Sequence, residues 1–77
     1  MEFEKLKEFD NIYVQVKCEN FKTYGTVKIK GNKFYLIEFD RLSEGDYIEF
    51  ETEYSPNKII DINKEVEWNE NNIHDKR

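Results

Sequence analysis

The chain has 77 residues, which suffices for one domain but not for two. Its formal net charge of −5 argues against a general polyanion binder. The sequence has no run of about 18 apolar residues as in a membrane span and no apolar signal-peptide region, so we expect a soluble cytoplasmic protein. It has one cysteine, Cys18, so we expect no internal disulfide and a reducing compartment.

The N-terminal part predicts a short helical segment followed by an alternating strand. Phe3, Leu6 and Phe9 recur every third residue, a spacing that suits one or two helical turns as well as an irregular lead-in. From Ile12 onward every second residue is apolar, which is typical of a half-buried strand. The apolar side of this strand holds Ile12, Val14, Val16 and Cys18. After a connection over 19–25, the stretch TVKIK resumes the alternation.

The sharpest turn signal is the pair Gly31-Asn32 between two strand-like runs. We predict a two-residue hairpin in which Gly31 supplies the positive φ of a type II′ turn. This register pairs Lys28 with Tyr35, and directly paired residues share a face of the sheet. The apolar face then holds Val27, Ile29, Phe34 and Leu36. The opposite face holds Tyr24, Thr26, Lys28, Lys30, Lys33, Tyr35, Ile37 and Phe39.

The stretch DRLSEGD at 40–46 predicts a connector, in which Gly45 is suited to a left-handed conformation. DYIEFETEY then alternates as a fourth strand, with Ile48 and Phe50 pointing inward. The outward residues of this strand are Tyr47, Glu49 and Glu51.

A fifth strand follows a turn at Pro56, with Ile60 and Ile62 pointing inward, and the polar residues 69–77 are typical of a disordered tail. Five short strands with tight connections cannot bury two faces as a flat sheet. If the sheet curls into a small barrel, one face is buried as the core and the edge strands gain hydrogen-bonding partners. We therefore predict a single all-β domain over 1–68, a five-stranded OB-type barrel, with an SH3-like barrel as the alternative.

Residues 25–62, GTVKIKGNKFYLIEF and then LSEGDYIEFETEYSPNKIIDI, resemble the layout of cold-shock and S1-type OB domains. The shared features are a G-T-V-K-like second strand, an aromatic-rich third strand and L-x-x-G-D-x-I-x-F at the fourth. The Gly- and Phe-rich RNA-binding motifs of cold-shock domains do not occur in this stretch. The resemblance implies that bases stack on the second and third strands. The residues at the corresponding positions are Lys28, Lys30, Tyr35, Tyr24 and Phe39.

Local charge supports single-stranded nucleic acid as the ligand. Residues 17–33 contain five lysines and one glutamate, a local net charge of +4 (5 − 1). Lysines contact phosphates, and stacking on tyrosine contributes about 1–3 kcal/mol per base. We predict binding of single-stranded DNA or RNA through Lys17, Lys22, Tyr24, Lys28, Lys30, Lys33, Tyr35 and Phe39. In the alternative arrangement, the N-terminal segment covers Tyr24, Ile37 and Phe39 and leaves only charged residues in water.

A protein partner is the second hypothesis. Residues 34–56 contain seven acids and one arginine, a local net charge of −6 (1 − 7). These acids would enter a partner's basic groove as mimics of nucleic-acid phosphates, or an apolar patch would serve as the interface. The acidic residues are Glu44, Asp46, Glu49, Glu51 and Glu53. The absence of alanine suggests an AT-rich gene, such as one from a low-GC bacterium or its phage. If the gene is a phage gene, the protein would be an inhibitor that acts in the host cytoplasm.

Catalytic motifs are lacking in the sequence. His74 is the sole histidine and lies in the predicted tail, and one cysteine with one histidine cannot form a zinc site of the usual kind within one chain. Cys18 ends an apolar phase, so we expect a buried hydrophobe, with a disulfide between two chains as the alternative. Glycine-rich phosphate loops and nucleophile motifs are absent. We predict a non-enzymatic protein without a metal or cofactor.

Overall fold

The computed structural model describes residues 1–43 and 45–65 and the backbone of 74–75. The chain is mostly β-structure, with a short helix α1 (Phe3–Leu6) and a 3₁₀ turn (Lys7–Phe9) before the first strand, so the predicted helical segment is confirmed. A second 3₁₀ turn, Pro56–Lys58, precedes the fifth strand. The strands are β1 (Tyr13–Cys18), β2 (Lys22–Lys30), β3 (Lys33–Ser43), β4 (Asp46–Tyr54), β5 (Ile59–Lys64) and β6 (His74–Asp75).

Five strands form one antiparallel sheet in the order β4-β3-β2-β1-β5. Strands β1 to β4 pair consecutively, and β5 returns to lie beside β1. The short β6 pairs in parallel with β3 at Asp40 and Arg41. The predicted β-rich fold class is confirmed, whereas the sheet is not closed, because β4 and β5 do not pair with each other among the described residues. Apart from the backbone of β6, the predicted tail at 69–77 lies outside the described residues.

The β2–β3 hairpin has the register that Gly31-Asn32 predicts, with Lys28 facing Tyr35. Gly31 has a φ of 62°, while Asn32 keeps a negative φ, as a type II′ turn requires. Gly45 also adopts the predicted left-handed conformation, at a φ of 83°. We call the side of the sheet that carries Lys28 and Tyr35 the outer face, and the opposite side the inner face.

The core lies on the inner face. Its buried apolar residues are Leu6, Val14, Val16, Cys18, Val27, Phe34, Leu36, Ile59 and Ile62. Because Leu6 belongs to α1 and is fully buried among strand residues, the N-terminal segment packs on the inner face. The arrangement in which this segment covers Tyr24, Ile37 and Phe39 is therefore wrong. Cys18 is buried, as the sequence predicts.

Two predicted connections are shorter than expected. Strand β2 begins at Lys22, within the connection predicted at 19–25, and β3 extends to Ser43 through most of the connector predicted at 40–46. The added part of β2 pairs with β1, where Tyr24 faces Gln15. Polar and aromatic residues can extend a strand in this way when they lie on its outer face. The outer face is consequently longer than the sequence predicts.

One inward assignment is wrong, and one inward residue is more exposed than the sequence predicts. Ile60 is 56% exposed and Ile59 is buried instead. A register shift at the end of β1 pairs Cys18 with Ile59, and such a bulge adds one residue to β5 and inverts the alternation beyond it. Ile48 lies on the inner face, as the sequence predicts, yet it is 45% exposed.

Candidate interaction surface

The outer face brings together the residues predicted to bind nucleic acid. Lys17 faces Lys22 across β1 and β2, and Lys28 faces Tyr35 across β2 and β3. Since alternate residues of a strand share a face, the remaining members follow on the same side. All eight residues predicted to bind nucleic acid therefore lie on the outer face: Lys17, Lys22, Tyr24, Lys28, Lys30, Lys33, Tyr35 and Phe39.

The predicted acidic surface belongs largely to the same face. Strand β4 places a row of carboxylates beside the outer residues of β3. The residues of this row are Glu49, Glu51 and Glu53. Asp46 lies at the start of β4, where its Oδ2 accepts a hydrogen bond from Ser43 Oγ at 2.8 Å. Glu44 lies outside the described residues. The two contact surfaces that the sequence suggests are thus neighbouring parts of one surface.

Two ion pairs join the basic and acidic parts of the outer face. Lys30 Nζ donates to both carboxylate oxygens of Glu51, at 2.8 and 2.9 Å. Lys33 Nζ lies 3.9 Å from Glu53 Oε1. These side chains are partly exposed, so each pair stabilises the fold by only about 0–1 kcal/mol. Their larger effect is that both lysines offer less positive charge to a phosphate group.

Three other outer-face lysines have no ion pair with a described residue. They are Lys17, Lys22 and Lys28. Lys28 Nζ donates instead to the neutral Oδ1 of Asn11, which precedes β1. Positive charge therefore collects on β1 and β2, and negative charge collects on β4. The outer face has a charge gradient that runs across the strands.

The centre of the outer face is aromatic and aliphatic. Tyr24, Tyr35 and Ile37 are half-buried there. Gln15 Nε2 donates to Tyr24 Oη at 2.7 Å. Lys30 Nζ lies 5.1 Å from the centroid of the Tyr35 ring, within reach of a cation–π interaction. These neighbours hold both rings in place, which lowers the entropy lost when a partner binds against them.

No family model, curated protein or solved structure matches this chain. The outer face is accordingly interpreted from its own chemistry. Within residues 1–43 and 45–65, no group of three His, Cys, Asp or Glu side chains could hold a metal ion. In the described part of the chain, no helix is long and apolar enough to cross a membrane.

A buried polar cluster on the inner face is a feature that sequence reasoning missed. Thr23 is 1% exposed and Glu38 is 2% exposed. Thr23 Oγ1 donates a hydrogen bond to Glu38 Oε1, and Tyr54 Oη donates to Glu38 Oε2 at 2.9 Å. The predicted hairpin register already places Glu38 on the inner face, because it follows Phe34 and Leu36 in the same phase of β3.

This cluster affects the nearby titratable groups. Burial, and then the Glu38 carboxylate, raise the pKa of the Tyr54 phenol and of the Cys18 thiol above their ordinary values. A thiol with a raised pKa is a poor nucleophile at neutral pH. A cavity of about 460 Å³ borders Cys18 and Tyr54, and one of about 260 Å³ borders Glu38 and Asp40. Phe21 lines both cavities, with its ring centroid 6.3 Å from that of Tyr54.

Proposed function

We propose that this protein is a non-enzymatic interaction module that binds another protein through its outer face. The observation that supports the proposal most is the contact of Lys30 with Glu51 at 2.8 Å, which joins basic and acidic strands beside the Tyr35 ring. Protein interfaces are enriched in aromatic residues and use charges of both signs to set orientation. A fitting partner presents an apolar centre, with acids opposite β2 and cations opposite β4.

Mimicry of nucleic-acid phosphates has weaker support. A phosphate mimic needs a row of acids whose charge is not already neutralised. Glu51 and Glu53 each contact a lysine of the hairpin, and only Glu49 in this row has no ion pair with a described residue. We therefore favour a partner that meets the whole outer face over a basic groove that meets β4 alone.

The proposal is tested by capture with matched variants. Ile37→Lys places a charge at the centre of the outer face, and Ile60→Lys makes the same change at an exposed isoleucine of β5. We expect wild type and Ile60→Lys to crosslink to the same protein in a lysate of the source cell, and Ile37→Lys to lose it. Circular dichroism checks folding, and Glu49→Lys serves as a second outer-face variant. Equal capture by all four proteins would overturn the proposal.

Single-stranded nucleic acid is the second candidate function. It is favoured by Lys17, Lys22 and Lys28, whose charges are not neutralised by a described acid. A fluorescent oligonucleotide titrated at two salt concentrations tests it, with Tyr35→Ala and Lys28→Glu as variants. Binding that weakens with salt and with both variants supports this candidate. If wild type does not bind at low salt, the candidate is eliminated.

We also propose that the sheet is the wall of a small, partly open barrel. The Met1 ammonium donates to the carbonyl oxygens of Pro56 and Ile59 at 2.9 and 3.0 Å, which ties the N-terminus to the connection between β4 and β5. An OB-type barrel is a Greek-key structure. The consecutive pairing of β1 to β4 favours the SH3-like class of the two predicted classes. Nuclear Overhauser contacts between the facing ends of β4 and β5 would support closure, and their absence would count against it.

A further inference from the structure

We infer that the outer face binds a second copy of this chain, in a two-fold dimer whose axis runs parallel to β3. The inference rests on the proposed function, because it names the partner of the same surface. It follows from how charge is distributed over the strands, from the symmetry that this distribution allows, and from the apolar centre on which the axis would lie.

The outer face has opposite charges on either side of β3. On β2 its charged residues are all lysines, and on β4 they are all glutamates. Strand β3 lies between them and contributes Tyr35 and Ile37 to the centre of the face. A surface whose two halves carry opposite charges is complementary to a copy of itself when the halves exchange across the interface.

Symmetry decides which two-fold axis satisfies the charges. An axis parallel to β3 and lying between two outer faces places β2 of one copy over β4 of the other. An axis perpendicular to the strands instead places β2 over β2, which brings lysines together. Like charges in contact disfavour an interface, so the charges of β2 and β4 favour the parallel axis.

The strand register identifies one residue pair across this interface. Lys28, Tyr35 and Glu53 lie in one row across β2, β3 and β4. Because neighbouring strands are about 4.8 Å apart, Lys28 and Glu53 lie at similar distances on either side of the axis. Rotation therefore brings Lys28 of one copy over Glu53 of the other, twice in each dimer. Within its own chain Lys28 has no described ion pair, and Glu53 has only the 3.9 Å contact with Lys33.

The centre of the dimer would be apolar. Tyr35 and Ile37 lie on the strand that the axis follows, so each would pack against its own counterpart. Lys33 lies at the end of the same strand and would also meet its counterpart, so the electrostatic attraction comes from the residues of β2 and β4 and not from β3. Only β2, β3 and β4 overlap about this axis, and strand spacing and rise give these three strands a footprint on the order of 400 Å² per copy. This area is below that of a standard interface, so we expect a weak dimer that forms at micromolar concentrations or above and that salt weakens.

Charge exchange at the Lys28–Glu53 pair tests the inference. Sedimentation velocity over about a hundredfold range of concentration should show wild type shifting from monomer to dimer. Lys28→Glu and Glu53→Lys each place like charges across both contacts, so each variant alone should remain a monomer. Their equimolar mixture should dimerise, because both contacts are then attractive, and the double variant should dimerise for the same reason. Lys58→Glu, the same charge change on the 3₁₀ turn, should behave as wild type.

Three results would overturn the inference. They are a wild type that stays monomeric throughout, a mixture that fails to associate, and single variants that dimerise as well as wild type. Any of these leaves the proposed function standing if Ile37→Lys still abolishes capture of a different protein. Conversely, equal capture of a lysate protein by wild type and all the variants would overturn the proposed function. That result comes from a separate experiment and is distinguishable from a failure in the sedimentation series.

Discussion

Tyr54→Phe should destabilise the fold by removing a hydrogen bond to a buried carboxylate. Glu38 is 2% exposed, and Tyr54 Oη lies 2.9 Å from its Oε2. A hydrogen bond to a charged group contributes about 1.5–3 kcal/mol, and phenylalanine preserves the ring that packs beside the core. For a small chain with a urea m-value of about 1 kcal/mol/M, the unfolding midpoint should fall by roughly 1.5–3 M.

Urea unfolding followed by circular dichroism measures this change, and Tyr35→Phe is the matched control. The Tyr35 hydroxyl has no hydrogen bond with a described residue, so its loss should change the free energy of unfolding by less than about 0.5 kcal/mol. Thr23→Val removes a second donor to Glu38, and combining it with Tyr54→Phe should give a coupling energy of about 0.5–3 kcal/mol. Equal midpoints for Tyr54→Phe and Tyr35→Phe would refute the reasoning.

Three further predictions concern stability. Gly25→Ala should cost about 1–3 kcal/mol in thermal unfolding, because a Cβ there would lie 2.6 Å from a backbone oxygen; an unchanged melting temperature would contradict this. Ile59→Ala should lower the free energy of unfolding by about 2–5 kcal/mol, and Ile60→Ala should lower it by less than about 0.5 kcal/mol. Similar losses for the two variants would contradict the bulge. The folded state holds the Cys18 and Tyr54 protons more tightly than the unfolded chain, whose groups titrate near 9.0 and 10.0. Above about pH 9 stability should therefore fall as pH rises, and constant urea midpoints would argue against it.

The sequence was most informative where a turn set the register. Gly31-Asn32 has few conformational choices, and a two-residue loop determines which residues face each other on both strands. From that single turn the pairing of Lys28 with Tyr35 and the composition of the outer face follow. The charge gradient was harder to predict, because no turn signal of comparable strength connects β3 with β4. The pairing of Lys30 with Glu51 therefore became visible only in the structure.

Prediction failed where the sheet departs from regular alternation. A bulge is not marked by residue type, so the run Ile59-Ile60 fits either phase of a strand, and the inward prediction for Ile60 is wrong. The Glu38 cluster was missed for another reason. Charged residues are rarely fully buried, so acidic residues are predicted to be solvent-exposed even when the strand register places them among core residues. Buried carboxylates of this kind depend on donors from distant strands, here Thr23 and Tyr54.

The return of β5 to β1 has a consequence for how the chain folds. Strands β2 and β3 are joined by two residues, whereas Val16 pairs with Ile62 at a separation of 46 positions (62 − 16). Chain entropy opposes the closure of long loops more than that of short ones, so we expect the consecutive hairpins to form first and β5 to dock last. Until β5 docks, the hydrogen-bonding groups along one edge of β1 are open to other unfolded chains. The rate of this last pairing then determines how long a newly made chain is exposed to aggregation.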